Sequence, residues 1–344
     1  MNNAVFSIFK GIGIITVVVG HSGCPLFLHN FIYLFHMALF YFVAGFFFKN
    51  KYLNTPKEFV IKRIKRLYFP WAIYGLVFVL LHNLFVHIGI YGMIVPGYDM
   101  SFYSFEDIFY KTLAVLVMRW QELLLSPFWF LKSLLLANFI FLFLLLICKY
   151  LRCSSLTEIL IFIAIYMVAG LVNQFYGKLP MHLGREIIAV GLLYLGYWTG
   201  KNINKIKING KYAVFAICIL LICMQLGHIE YASSSITNIF YFTICSISGI
   251  YLVYYISLRI SHFRNISKVL VFIGNHTLEI FGLHFLSFKL VTLLYGGKLD
   301  AFPIIVGHNL WPLYTFTGII LPLIAGCIYS YAKKFVLIII LNRR

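Results

Sequence analysis

Two ionisable side chains lie at opposite ends of the first long apolar segment of the chain. Lys10 and His21 are eleven positions apart in the stretch FKGIGIITVVVGHSG. On an α-helix this spacing puts both side chains on one face, about 16 Å apart along the axis. Ionisable groups inside a membrane normally face the protein interior, so one cavity could contain both. Alternatively, each side chain could extend to the nearer membrane surface.

A second histidine, His36, follows in the apolar stretch NFIYLFHMALFYFVAGFFF. A tight helical hairpin would place His21 and His36 at similar depth on adjacent helices. A neutral imidazole there can act as a general base, because the histidine pKa is close to physiological pH. A metal site is the minor alternative, because no third ligand stands at a typical spacing. We therefore expect no metal.

A cluster of cations precedes the third apolar segment, in PKEFVIKRIKRLYFPW. Its members are Lys62, Arg63, Lys65 and Arg66. Guanidinium groups at a helix start match phosphate oxygens, so the cluster could bind a carrier that contains pantetheine and adenosine phosphates. The alternative is a topogenic anchor that also contacts anionic lipid.

Polar residues also interrupt the late apolar stretch FIGNHTLEIFGLHFL. They are Asn275, His276, Glu279 and His284. Glu279 is costly in a membrane unless it is paired or protonated, so a role in a site and an internal pair with His276 are both open. Weaker candidates at the outer starts of two other segments are Arg185, Glu186 and Trp129. A tryptophan in such a position is most often an interfacial anchor.

The segments that carry these residues are membrane helices by composition. The 344 residues are 62% hydrophobic and 11% charged, and the mean hydropathy is +0.92. A soluble domain of this length could not bury so much apolar surface, so we predict an all-α polytopic membrane protein. The net charge of +18 then reflects basic loops, and nucleic-acid binding is not expected. The seven cysteines have no metal spacing and should pack as small apolar side chains.

Ten apolar segments are long enough to cross a bilayer. They are residues 4–22, 30–48, 67–90, 128–148, 156–174, 184–200, 211–227, 235–257, 269–294 and 313–340. Basic residues concentrate in the loops after even-numbered segments, so these loops and both termini are expected in the cytoplasm. The first segment lacks signal-peptide features and should remain in the protein. The outer loop at 95–127 should hold an interfacial amphipathic segment or a lid.

Five motifs in this order resemble the acyltransferase-3 family of integral membrane acyltransferases. They are FKGIGIITVVVGHS, FIYLFHMALFYFVAGFFF, KRIKRLYFPW, SPFWFLKSLL and IGNHTLEIFGLH. Bacterial members O-acetylate surface polysaccharides, lipopolysaccharide, peptidoglycan or exopolysaccharide. Two positions depart from the family. Lys10 replaces the usual arginine, which keeps the positive charge but loses the bidentate hydrogen bonding of a guanidinium group. Ala44–Gly45 replaces a Ser-Gly pair, which favours close packing at that point. The paired histidines look most like the fucose-4-O-acetylase-like branch.

The resemblance implies one transmembrane acyltransferase domain over residues 1–344, in a bacterial plasma (inner) membrane. It implies His21 as the catalytic histidine and Lys10 as its motif partner, and we expect His36 beside them. Acetyl-CoA is the expected acyl donor, with its phosphates on Arg63 and Arg66, supported by Lys62 and Lys65. Further site candidates are Glu279, His284, Asn275 and Trp129.

The expected acceptor is a hydroxyl of a polysaccharide or glycolipid on the outer side. The acyl group could pass directly to it or through a transient acyl-enzyme on His21. A transporter or flippase of a lipid-linked sugar, with a His/Glu proton relay, is the alternative from another class. No internal repeat supports that alternative, and a basic clamp would have no purpose in it. Small-residue faces fit packing within the bundle or between subunits, so the oligomeric state stays open.

Overall fold

The computed structural model describes residues 3–91, 100–176, 183–227, 229–233, 236, 238–296 and 307–341, with the backbone alone for 334–341. These residues form an all-α bundle, as the sequence predicts. Its helices are α1 (Asn3–His21), α2 (Leu26–Tyr33), α3 (His36–Phe46), α4 (Pro56–Arg63), α5 (Phe69–His87), α6 (Phe105–Leu116), α7 (Trp129–Tyr150), α8 (Ser155–Tyr176), α9 (Leu183–Asn202), α10 (Gly210–Cys223), α11 (Ile239–Ile260), α12 (Arg264–Asn275), α13 (Thr277–Leu294) and α14 (Trp311–Leu341).

Eight stretches of the described chain are helical, long and apolar enough to cross a membrane. They correspond to eight of the ten predicted segments, so the protein is a multi-pass membrane protein. The other two predicted segments are α9 and α10. Helix α9 has 20 residues but includes Arg185, Glu186 and Lys201, and α10 has only 14 residues. The charged residues lower the mean hydropathy of α9 below that of a typical membrane span, and α10 is shorter than a typical span.

Two of the predicted continuous helices are broken, which corrects the sequence prediction. Segment 30–48 is divided into α2 and α3 at Phe35, whose φ and ψ of −147° and −17° leave the helical region. Segment 269–294 is divided into α12 and α13 at His276, with φ and ψ of −112° and 29°. The break at Phe35 lies in an uninterrupted apolar stretch, whereas the break at His276 lies among the polar residues Asn275 and His276, which the sequence marks only as site candidates. One consequence is that α3 begins at His36.

The basic connections meet at one end of the bundle. Lys149 Nζ, at the end of α7, donates to the carbonyl oxygen of Leu53 at 3.0 Å. The Tyr197 hydroxyl, near the end of α9, donates to Asn50 Oδ1 at 2.9 Å. The segments that follow α3, α7 and α9 therefore share one side, as the positive-inside rule predicts. We refer to this end as the cytoplasmic side and to the opposite end as the outer side.

A π-helical segment, Ile64–Tyr68, joins α4 to α5. Its cause is Pro70, which has no N–H to donate to the Arg66 carbonyl, so the regular helical ladder is interrupted there. The Phe69 N–H reaches back to the carbonyl of Ile64, five residues earlier. Such insertions are frequent at functional sites because they rotate the preceding side chains relative to the following helix. Here the rotated side chains belong to the cationic cluster.

Helix α9 packs very closely against α3 through paired glycines. A Cβ atom on Gly45 would overlap the carbonyl oxygen of Leu193, and one on Gly196 would overlap that of Phe42. Close packing was the expectation for the Ala44–Gly45 pair, and the structure confirms it. Backbone contact of this kind fixes the position of α3 in the bundle.

We expect Gly196→Ala to destabilise the protein by about 1–3 kcal/mol or more, because a new methyl group must displace backbone of α3. The thermal unfolding temperature of the purified protein in detergent would measure it. Thr199→Ala, on the same helix but half-buried, is the matched control and should change that temperature little. Equal unfolding temperatures for Gly196→Ala and wild type would contradict the close α3–α9 contact.

Candidate active site

Two histidines from distant parts of the chain are in direct contact. His21 Nδ1, at the end of α1, lies 3.1 Å from His284 Nε2 in α13. Their rings are nearly parallel, with centroids 5.3 Å apart and an interplanar angle of 7°. The His284 side chain is fully buried. The sequence named His284 only as a further candidate, and the fold makes it the direct partner of His21.

Hydrogen bonding fixes the roles of the four ring nitrogens. His284 Nδ1 lies 2.9 Å from the carbonyl oxygen of Ile280, which can only accept, so this nitrogen carries a proton. A neutral His284 therefore has a lone pair on Nε2 and accepts a hydrogen bond from His21 Nδ1–H. The remaining nitrogen, His21 Nε2, then holds a lone pair. The contact with His284 thus holds His21 in the tautomer with its proton on Nδ1, which leaves Nε2 able to act as a base.

His36 is the third member of this group. It is buried, and its Nδ1 lies 3.0 Å from the carbonyl oxygen of Ile32 across the α2–α3 break. Its ring centre lies 4.7 Å from that of Tyr33, and the Tyr33 ring packs against Gly20, the residue before His21. The expected proximity of His21 and His36 on adjacent helices is therefore present.

A cavity of about 280 Å³, here called the inner cavity, connects the cationic cluster to the level of the histidines. Its polar wall contains Lys10, Arg63 and Arg66, and its apolar wall contains Ile14, Val17, Met37, Phe40, Val43, Ala44, Leu67, Phe130, Leu131, Leu134, Leu278 and Phe281, with Thr277 beside them. Val17 precedes His21 by one helical turn, and Phe281 precedes His284 by about one turn. The inner cavity therefore ends about one turn from the histidine pair.

Arg63 has a donor that the protein leaves unused. Its Nη2 donates to the carbonyl oxygen of Ala44 at 3.3 Å, and its guanidinium lies 4.9 Å from the Phe59 ring centre. Its Nε is buried and has no hydrogen-bond partner in the described part of the chain. A buried donor without a partner costs about 1–3 kcal/mol. An anion at this end of the inner cavity would remove that cost.

The other two cations of the cluster point elsewhere. Lys62 Nζ donates to the Tyr52 hydroxyl at 2.8 Å, and Lys65 is exposed. Neither is among the described residues that line the inner cavity. The structure therefore divides the predicted cluster into two cavity-facing arginines and two lysines outside the cavity.

Two candidates from the late polar stretch lie apart from the histidines. Asn275 Oδ1 accepts a hydrogen bond from Ser7 Oγ at 3.0 Å, which ties the end of α12 to α1. Glu279 is half-buried against Gly326 of α14. The alternative of an internal His276–Glu279 pair is not formed, because His276 Nδ1 instead lies 2.8 Å from the Phe272 carbonyl oxygen.

A second cavity of about 470 Å³, here called the outer cavity, opens on the other side of α7. Its described lining residues are Trp71, Met118, Arg119, Trp120, Gln121, Ser126, Trp129, Lys132, Arg185 and Ala232. The Arg185 guanidinium lies 4.5 Å from the Trp129 ring centre, so Trp129 is part of this cavity rather than a simple interfacial anchor. Arg185 is also bonded to Glu186 at 2.8 Å and to the Ala232 carbonyl.

The first turn of α7 separates the two cavities. Phe130 and Leu131 line the inner cavity, whereas Trp129 and Lys132 line the outer cavity. We call Trp129–Lys132 the partition. The Tyr41 hydroxyl lies 2.7 Å from Ser133 Oγ, which aligns α7 with α3 just below the partition. By helical rise, the partition is at about the depth of His36.

A family comparison identifies the chain. A model described as an acyltransferase domain, Acyl_transf_3, matches residues 3–331. The chain belongs to the acyltransferase-3 family. This confirms the sequence resemblance over nearly the whole length, and the protein is a membrane acyltransferase. The searches of curated proteins and of solved structures each returned no match.

In this acyltransferase, sequence reasoning missed the outer cavity. Lys132 is the one sequence signal that could have indicated this cavity, because it lies three residues after Trp129 within a strongly apolar helix. By sequence, Arg119 and Trp120 belong to the outer loop at 95–127 and have no assigned role in a site. Their position depends on Met118, which follows α6 with a left-handed φ of +55° and redirects the chain. No pattern in the sequence predicts that turn at a methionine.

A buried polar cluster holds this segment of the acyltransferase in place. His82 Nδ1 lies 3.1 Å from Glu122 Oε1, and the Tyr91 hydroxyl donates to Glu122 Oε2 at 3.0 Å. His82 Nε2 faces the Ser101 carbonyl oxygen at 2.8 Å. Both ring nitrogens thus face oxygen atoms that can accept a hydrogen bond. Burial and the Glu122 carboxylate raise the pKa of Tyr91 well above its usual range, so its phenol remains a donor.

We expect Glu122→Ala to destabilise the acyltransferase by about 3–5 kcal/mol, because it leaves His82 and Tyr91 buried without their acceptor. The unfolding temperature in detergent measures the loss. Glu106→Ala, an exposed carboxylate on α6, is the matched control and should have little effect. If both variants unfold at the wild-type temperature, the buried cluster does not hold this segment.

Proposed function

We propose that this acyltransferase moves an acetyl group from cytoplasmic acetyl-CoA to a hydroxyl of a cell-surface or lipid-linked polysaccharide on the outer side of a bacterial inner membrane. The observation that carries the proposal is the inner cavity. Three cations line one end of this cavity. The other end stops about one helical turn from His21, whose tautomer leaves Nε2 free to act as a base.

The cationic end of the inner cavity suits the phosphates of the donor. Arg63 contributes an unused buried donor, and Arg66 and Lys10 add two further charges on the same wall. Guanidinium groups bind phosphate oxygens bidentately, so the arginines would carry most of this affinity. The remaining wall is apolar, which suits the narrow pantetheine arm. The thioester at its tip would then lie near His21.

The acyl transfer can be written with His21 as general base. His21 Nε2 takes the proton of the acceptor hydroxyl while that oxygen attacks the thioester carbonyl carbon. The C–S bond then breaks, the acetyl group stays on the acceptor oxygen, and the imidazolium returns its proton to the leaving CoA thiolate. His284 acts through His21 by holding its tautomer. Direct transfer needs no further nucleophile, whereas an acyl-enzyme would need His21 itself to attack.

The site also weighs against the transporter alternative. A proton relay would need ionisable groups in a continuous series. In the described part of the chain Glu279 is separate from the histidines, with Gly326 as its neighbour. An apolar cavity that ends at a histidine pair favours chemistry at a fixed point over passage of a sugar.

The donor step gives a direct test in nanodiscs with radiolabelled acetyl-CoA. We expect His21→Ala to lower the rate of CoA release by about 10²–10⁴-fold, since it removes the base. We expect Arg63→Ala with Arg66→Ala to raise the KM for acetyl-CoA at least about tenfold, since charged hydrogen bonds to phosphate are lost.

The matched control removes the same charge outside the inner cavity. Lys62→Ala with Lys65→Ala should change KM less than about threefold, because neither lysine lines the inner cavity and Lys62 is already bonded to Tyr52. Equal effects of the arginine and lysine double variants would mean that only net charge matters. No binding of acetyl-CoA to wild type would overturn the proposal and favour the transporter.

Two substitutions can distinguish a role of His284 in positioning His21 from a role in packing alone. His284→Gln can keep an acceptor near the position of Nε2, whereas His284→Leu removes it. We expect the leucine variant to lower kcat at least about tenfold and the glutamine variant to recover much of that loss, because His21 keeps its tautomer. The KM for acetyl-CoA should change little in either. Identical kcat values for the two variants would contradict the positioning role.

A further inference from the structure

We infer that the outer cavity binds an acidic sugar, a saccharide that carries a carboxylate or phosphate group, as part of the acceptor. This inference rests on the proposed function, because it describes the acceptor of the same transfer. Three observations lead to it: the charge of the cavity, its aromatic lining, and its place behind the partition.

The charge of the outer cavity is positive and incompletely neutralised. Arg119, Lys132 and Arg185 line it, and the Glu186 carboxylate is hydrogen-bonded to Arg185 through Oε1. Within the described residues, the side chains of Arg119 and Lys132 have no hydrogen bond or ion pair. Glu122 is turned away into its contacts with His82 and Tyr91. Two cations therefore remain available to an anionic ligand.

The lining also suits a sugar ring rather than an anion alone. Trp71, Trp120 and Trp129 line the outer cavity, and they are three of the five tryptophans in the chain. The negative face of an indole attracts polarised C–H groups, so flat sugar faces pack on it favourably. Gln121 contributes a side-chain amide to the lining of the outer cavity, and Ser126 contributes a hydroxyl. Aromatic faces with a few convergent polar groups are typical of a ligand site.

The position of the outer cavity fits an acceptor. Only the partition lies between it and the inner cavity, and Phe130 of the partition contacts Phe281, with ring centroids 5.9 Å apart. Phe281 in turn lies 6.4 Å from the His284 ring. A saccharide held by Lys132 and Trp129 would thus lie beside the helical turn that borders the donor arm, and an adjoining part of the acceptor would extend to His21. Its charged group would be anchored, and a hydroxyl would be left for transfer.

Tryptophan fluorescence tests this directly, because most tryptophans report on the outer cavity. Wild-type protein in phosphatidylcholine nanodiscs would be titrated separately with glucuronate, glucose 1-phosphate, glucose and inorganic phosphate. We expect one or both charged sugars to change the emission saturably, at concentrations at least about tenfold lower than glucose or phosphate requires. The charged sugar that binds identifies carboxylate or phosphate as the anionic group.

The variants identify the site. Arg119→Gln and Lys132→Gln should each raise the Kd of the charged sugar about tenfold or more, as expected for loss of a charged contact. Arg119 is exposed, so its variant is informative even if Lys132→Gln folds poorly. Lys211→Gln, an exposed lysine at the cytoplasmic start of α10, is the matched control and should leave the Kd unchanged.

Three results would overturn the inference: no saturable response to any sugar, an affinity for glucose equal to that for both charged sugars, or an affinity for inorganic phosphate equal to that for the charged sugar that binds. The sugar titration contains no acyl-CoA, so its outcome is separate from that of the CoA-release assay. Sugar binding without CoA release in wild type would reject the proposed donor step alone. CoA release without sugar binding would reject the acidic acceptor alone.

Discussion

The cost of an ionisable side chain in lipid governs the arrangement of this bundle. Each such group inside the spans must face protein, a cavity or a hydrogen-bond partner. Lys10 and Arg63 satisfy this at the inner cavity, and His21 satisfies it against His284. Helices from the two ends of the chain are brought together as a result, since α1 can bury its polar face only where α13 supplies a matching one.

The backbone is adapted to the same constraint. Breaks at Phe35 and His276 and the π segment before Pro70 each interrupt a helix next to residues with polar side chains. Freed backbone groups are recovered locally, as when His36 bonds the Ile32 carbonyl across its break. Close glycine contacts between α3 and α9 then hold these irregular segments in one arrangement.

Much of this could be predicted from the sequence, for identifiable reasons. Composition and loop charge predict the helices and their sides, because they depend on the bilayer and not on tertiary contacts. The face shared by Lys10 and His21 follows from helical geometry alone. The His21–His284 contact could not be predicted, because nothing local relates residues 263 positions apart. The break at Phe35 was missed because its residues are apolar, and the break at His276 because its polar residues suggested a site and not a helix end. The outer cavity was missed because it depends on a left-handed Met118.

The thinness of the partition has an electrical consequence. Water-filled cavities on the two sides of a partition would carry the aqueous potential of each compartment inward, so the transmembrane voltage would fall mainly across Trp129–Lys132. A charged group crossing there would do work against the full field. In the proposed transfer the group that crosses is a neutral acetyl group, and the CoA phosphates would stay on the side of Lys10, Arg63 and Arg66. The proposed transfer would then carry a group across the membrane's insulating layer without any net charge moving through it.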